Sequence, residues 1–267
     1  MSYPPIDHEL NLVTQSVLIY ASWALTIAFF ALALWWGRRE HTPFYALMVL
    51  AAIVGAFAEP LYDVAMMLYF YSTEGMATHF TAFDIPQPIW THSGYVVLYA
   101  SAAMFVARRM WLGTLTRKAL FAFAGVELLI SCVFEMVGIN GNAYGYWGPH
   151  AFRIFDYPLA IGVLEAAQVI AFAVGATLLR QRVTHPVGLL GLFVLFPCTF
   201  FGVNFGAGWP MIIALHLPNP SRGLVAVGSL MAMGLAFCVI WAASSLVPRS
   251  PNSNVDEVIS DEVPASA

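Results

Sequence analysis

Charge is what this sequence has least of. Only 10% of its 267 residues are charged while 60% are hydrophobic, and the mean hydropathy is +0.75. A soluble domain this poor in charge could not cover its surface. The chain has a single lysine, Lys118, placed between apolar stretches rather than on the last one. That excludes a retinal protein, which needs a lysine on its final helix. The three cysteines, Cys132, Cys198 and Cys238, all fall in apolar stretches. They form neither a spaced metal motif nor a secreted disulfide framework, and read as small buried hydrophobes. No phosphate-binding loop, Ser-His-Asp order or dinucleotide fingerprint is present. His79, His92, His150 and His216 lack paired ligand spacing. The expectation is therefore no metal, no cofactor and no nucleic-acid partner.

Long apolar runs are abundant. Seven can be marked, at 13–37, 43–71, 87–107, 119–138, 158–179, 187–215 and 222–246. Each is near the ~20 residues that a bilayer core requires. The first has no basic segment before it and is long, so it does not read as a cleavable signal peptide. The sequence predicts an all-α integral membrane bundle of seven transmembrane helices over residues 1–247. The polar, Pro/Ser-rich tail 248–267 is expected to be disordered and cytoplasmic. Arg38, Arg39, Arg108, Arg109, Arg117, Lys118, Arg180, Arg182 and Arg249 fall on one predicted side, and only Arg153 and Arg222 on the other. This bias places the N-terminus outside and the C-terminus inside, in the plasma membrane if the source is bacterial. The partners this implies are the lipid bilayer and a hydrophobic small molecule; oligomeric state is left open.

Two predicted outer loops carry content, 72–86 and 139–157. The second is rich in glycine and aromatics and is long for a bundle connection. It reads either as a lid over a cavity or as an interfacial aromatic belt.

Five carboxylates interrupt the apolar stretches: Glu59, Asp63, Glu127, Glu135 and Glu165. An ionisable group inside a membrane segment costs roughly 2.5–3.5 kcal/mol on insertion scales and is a functional hypothesis by default. At ~1.5 Å per residue, Glu59, Asp63, Glu135, Glu165, His92 and Asn204 are expected at one level in the outer half, with Glu127 deeper. Glu59 and Asp63 are four residues apart and share a helix face. A carboxyl among other buried carboxyls can keep its proton, which is what a general acid needs. Glu59 and Glu135 are the expected principal acids, flanked by Phe57 and Phe134, with Asp63 and Glu165 supporting them. Trp90, His92, Tyr95, Tyr144 and Asn204 are the expected substrate-binding residues. Tyr62, Tyr99, Phe200, Phe201, Phe205 and Trp209 extend an aromatic lining, though a membrane protein with 15% aromatic residues also shows such stripes through packing alone.

The order "EPLYD", "TAFDIPQPIW…GYVVLYA", "FEMVG…YGYWGP" and "YPL" resembles the AveC-like spirocyclase family of bacterial membrane proteins. Glu59, Asp63, Pro88, Trp90, Glu135, Tyr144 and Gly148 are the matching positions. The resemblance implies acid-catalysed ring closure, such as spiroketal formation. The chain departs from the pattern at "YPLAIGVLE", which has no tryptophan after the leucine and ends in Glu165. Integral membrane terpene cyclases are similar more distantly; their last helix usually contributes an acid, and the stretch 222–246 here has none. Two other classes stand beside a cyclase or isomerase. One is a proton-coupled small-molecule transporter, against which the chain shows no internal repeat. The other is a non-catalytic membrane assembly protein that uses its acids as interhelical glue.

Overall fold

The computed structural model describes residues 3–247; the tail expected over 248–267, with Arg249, lies outside the described residues. The first helix, α1 (Leu12–Arg39), begins where the Asn11 side chain accepts from the amides of Val13 and Thr14, satisfying donors that a helix start leaves free. It is followed by α2 (Phe44–Gly55), a 3-10 turn at Ala56–Ala58, and α3 (Glu59–Met66). Pro60 fits there because the second position of a helix has no amide partner to lose. Met67, in the left-handed region at φ 54°, ends α3 and turns the chain into β1 (Leu68–Phe70). A hairpin of β2 (Thr78–Ala82) and β3 (Ile85–Pro88) leads to α4 (Thr91–Tyr95), a π-helical segment at Val96–Ala100, and α5 (Ser101–Trp111).

Next come α6 (Arg117–Asn140), β4 (Tyr144–Tyr146), β5 (Arg153–Ile154) and β6 (Tyr157–Pro158), then α7 (Leu159–Arg182). The chain closes with a 3-10 turn at Pro186–Gly191, α8 (Leu192–Asn204), α9 (Trp209–Leu215) and α10 (Arg222–Ser244). The central helix is α7, which packs on α5, α6, α8 and α10 and buries most of its residues.

The fold is predominantly helical, as expected, but not purely so: among the described residues three two-stranded antiparallel ribbons close one end. Among the described residues six helices are long and apolar enough to cross a membrane: Leu12–Arg39, Phe44–Met66, Arg117–Asn140, Leu159–Arg182, Pro186–Asn204 and Arg222–Ser244. This is consistent with a multi-pass membrane protein. The remaining expected span, 87–107, is the run of helical segments from Thr91 to Trp111. It is less apolar because it faces neighbouring protein; Thr91, His92, Ser93 and Ser101 are all buried. The stretch expected at 187–215 is broken at 205–208, between α8 and α9.

At the end opposite the ribbons, basic side chains converge. Arg108 Nε and Arg180 Nη2 each donate to Glu40, at 3.0 Å. Arg180 also donates to the Tyr45 hydroxyl at 3.0 Å and stacks on Trp111 at 3.8 Å from the ring centroid. The cluster ties the α1–α2 turn to α5 and α7.

Candidate functional site

The cavity is built where α3, α4, α6 and α7 meet beneath the β1–β4 ribbon. It is lined by Glu59 from α3, Glu135 from α6 and Glu165 from α7. Three carboxyls distant in sequence are thus gathered into one space, each under a tenth exposed. No lysine, arginine or histidine is among the lining residues.

The ribbon explains the roof. Leu68 pairs with Tyr146 and Phe70 with Tyr144. Side chains alternate along a strand, so these four point to one face, and all four line the cavity. Tyr144 and Tyr146 are 1% and 4% exposed. Within 139–157, Tyr144 and Tyr146 therefore serve as a buried cover, while Phe152, Ile154 and Phe155 are exposed. A Cβ at Gly138 would come within 2.7 Å of Tyr144 Cζ, so the glycine of "FEMVG" lets that ring lie against α6.

One wall is a single helical face. Thr91, Gly94, Tyr95, Leu98 and Tyr99 recur at three- and four-residue spacing, and all line the cavity together with Trp90. The π-helical segment lies in this wall, starting just after Tyr95 and containing Tyr99, a placement such bulges often have at functional sites. Behind it, Phe200 packs against Tyr62, Tyr95 and Tyr99, with ring centroids 5.1–5.4 Å apart.

The acids differ in how they are held. Glu59 accepts from the Tyr95 hydroxyl. Glu135 accepts from the Tyr146 hydroxyl at 3.2 Å. Glu165 accepts from Tyr99 at 2.8 Å, Tyr157 at 2.9 Å and Ser131. Three donors occupy both oxygens of Glu165, whereas Glu59 and Glu135 keep acceptor capacity toward the cavity. Two further hydroxyls, Tyr62 and Tyr144, are buried without a protein partner. The free space is about 30 Å³, room for one or two water molecules.

Asp63 does not line this space. It is fully buried one turn beyond Glu59, and its Oδ2 accepts from Gln87 Nε2 at 2.6 Å. It lies instead beside a vestibule of about 240 Å³ on the ribbon end, which shares Leu68 with the cavity.

Of the expected binding residues, Trp90, Tyr95 and Tyr144 line the cavity. His92 and Asn204 do not, which corrects their expected place among the substrate-binding residues. His92 turns to the opposite face of α4, with Nδ1 2.7 Å from the Ile53 carbonyl and Nε2 3.0 Å from His79 Nδ1. Asn204 bends back on its own helix, donating to the Phe200 carbonyl at 3.0 Å. Phe57, expected beside Glu59, is 59% exposed and packs on His79 and His92. Equal depth does not imply a common face, and here the helix rotation decides. Phe201 and Phe205 are half-buried and Trp209 is exposed; none lines the cavity.

Tyr146, Tyr157, Ser131 and Gln87 were not among the expected site residues. The two-residue alternation in "YGY" carries a signal for Tyr146, which shares a strand face with Tyr144. Gln87 and Ser131 had none, because their roles depend on contacts between distant segments. Among the described residues no group of three or more His, Cys, Asp or Glu is arranged to hold a metal ion. Comparison with family models, curated proteins and solved structures returns no match.

Proposed function

We propose that this protein is a membrane cyclase or isomerase that promotes acid-assisted ring closure of a lipophilic intermediate, of the spiroketal or terpenoid kind. One observation carries the reading: Glu59, Glu135 and Glu165 line a single buried cavity with no cation among its lining residues. Such a set favours the sharing of protons, because nothing nearby offsets several negative charges. A proton held at Glu59 or Glu135 can be donated to a carbonyl or hydroxyl oxygen of the substrate, and the partner carboxylate can take one from the closing nucleophile. Glu165, bound by three hydroxyls, positions the helices and the tyrosines around it. The aromatic walls suit an apolar substrate and offer ring faces to a developing cation.

The same reading places the chain in the membrane with seven spans, counting Thr91–Trp111 as the third, N-terminus outside and C-terminus inside, in the plasma membrane if the source is bacterial. The basic cluster at Glu40, Arg108 and Arg180 then marks the inner surface, and the ribbons the outer. The resemblance to AveC-like spirocyclases supports the same chemistry, since Glu59, Trp90, Glu135 and Tyr144 of its matching positions all face the cavity.

The test is direct. Purified protein in detergent is given a long-chain dihydroxy ketone, and loss of one water on spiroketal formation is followed by mass spectrometry. A polyene epoxide is assayed in parallel for cyclised isomers. Ring closure above the detergent control is expected for one of them.

A proton-coupled transporter is the second reading. Glu127 Oε1, both polar side-chain atoms of Gln168, and Ser229 Oγ are buried without protein partners on α6, α7 and α10. Polar groups of that kind could carry protons past the cavity. Proteoliposomes given the same compounds from outside would show proton-driven uptake and no ring closure.

A further inference from the structure

We propose that the groove between α1 and α6 is a lateral portal, which holds the apolar chain of an amphiphilic substrate while its polar end reaches the carboxyl cavity past Phe134. The inference rests on the reading of the cavity as the reaction site and adds the route in and the class of molecule.

The groove measures about 510 Å³, within the range of pockets that take small-molecule ligands. Its walls are two aliphatic stripes. On α1, Val17, Ala21 and Leu25 recur every four residues; on α6, Leu129, Val133 and Val137 do the same. All six are exposed, and both helices are among those able to cross a membrane, so the groove opens sideways to lipid.

It exists because α1 is held elsewhere. Ser22 Oγ lies 2.7 Å from Ser93 Oγ, and Thr26 donates to the Ser93 carbonyl at 3.3 Å, pinning α1 to α4. Toward α6 its hydrogen-bonded tie among the described residues is at the ribbon end, where the Asn11 amide donates to the Asn142 carbonyl at 3.0 Å. There a Cβ at Gly141 would strike the Thr14 side chain. Below this tie the two helices leave a cleft.

Phe134 is the side chain that lines both the groove and the carboxyl cavity. It is half-buried, and a rotation about its side-chain bonds joins the two spaces. The need for this is quantitative. The cavity holds water-sized space only, and the ribbon tyrosines cover it from the loop side. A chain dissolved in the bilayer meets the groove first, and its polar end is the part that gains by reaching the acids. This continuity argues for substrate rather than ordinary boundary lipid.

The experiment uses the full chain in lipid nanodiscs and two photoprobes: a long-chain alcohol with a diazirine at its far end, and the same alcohol with the diazirine beside the hydroxyl. The adducts are mapped by peptide mass spectrometry. The far-end probe should label Val17, Leu25, Val133 and Val137 several-fold above Leu230 and Met231, which face outward on α10. The head-end probe should label Glu59 or Glu135. Phe134→Ala should raise that cavity labelling, and Val133→Trp, at an exposed position that leaves folding intact, should lower both. Equal labelling of groove and α10, or groove labelling that never reaches the cavity even in Phe134→Ala, means boundary lipid only and overturns the portal. Glu59→Gln and Glu135→Gln should leave groove labelling unchanged. Failure of the acid reading would thus appear as undiminished turnover in those variants, with the labelling pattern intact.

Discussion

Tyr146, on the ribbon, donates its hydroxyl to Glu135, on α6, at 3.2 Å. The bond joins the roof of the cavity to one of its acids. Tyr146→Phe should leave the protein folded, since a single neutral hydrogen bond is worth about 0.5–1.5 kcal/mol. It should nevertheless change turnover, because Glu135 loses the donor that ties it to the roof. Thermal unfolding in detergent beside a rate measurement separates the two effects: unchanged rate with unchanged stability would remove Tyr146 from the site.

Gly138 tests the same roof from the other side. Alanine there forces Tyr144 off α6, and overpacking of this kind costs roughly 1–3 kcal/mol. A lower unfolding temperature is expected, with Glu135 more open to carboxyl-modifying reagents. Restoring volume with Tyr144→Phe should recover little, because the clash involves the ring carbons as well as the hydroxyl.

His150 predicts a pH dependence outside the spans. Burial, then Arg153, lowers its pKa from 6.5 to about 3. Its Nε2 donates to the Met66 carbonyl at 3.0 Å, at the end of α3. The unfolded chain therefore binds a proton there before the folded one does. Stability from neutral His150 is fully present above pH 6.5 and is lost as pH falls toward 3. Unfolding temperatures measured across that window should drop more steeply for the native protein than for His150→Gln. Parallel curves would contradict the assignment.

Arg180→Leu should destabilise the basic end by about 1.5–3 kcal/mol, the usual worth of a hydrogen bond to a charged group, since Glu40 is partly buried and keeps Arg108. Glu40 would be left facing Arg108 alone, and the Tyr45 hydroxyl would lose a donor. Denaturant unfolding in mixed micelles reads this directly. A loss under 1 kcal/mol would mean that the cluster is solvated.

The helices were legible in the sequence because apolar runs of bilayer length have few other solutions. Glu59, Glu135 and Glu165 were legible for the same reason: a charge in such a run is conspicuous. Rotation about the helix axis was not. His92 sits three residues before Tyr95 yet turns to His79 and Ile53, because the packing of α4 against α2 decides which face is inner. The β1–β4 ribbon was not legible because its strands are three residues each and pair across more than seventy positions. No local period announces such a contact. Gln87, which holds Asp63, was hidden for the same reason.

The central claim is that Glu59 and Glu135 are the proton-handling groups of one acid site. Glutamine preserves their shape and hydrogen bonding but removes the ionisable proton. The decisive measurement is the ring-closure rate of purified Glu59→Gln, Glu135→Gln and the double variant, on whichever lipophilic probe the native protein converts, with folding checked by thermal unfolding. A loss of about 10²–10⁴-fold for each single variant is expected. The double variant should be little worse than the singles, because groups acting as one unit are not additive. Native rates in both single variants, with folding intact, would contradict the account and leave these carboxyls as bonds between helices.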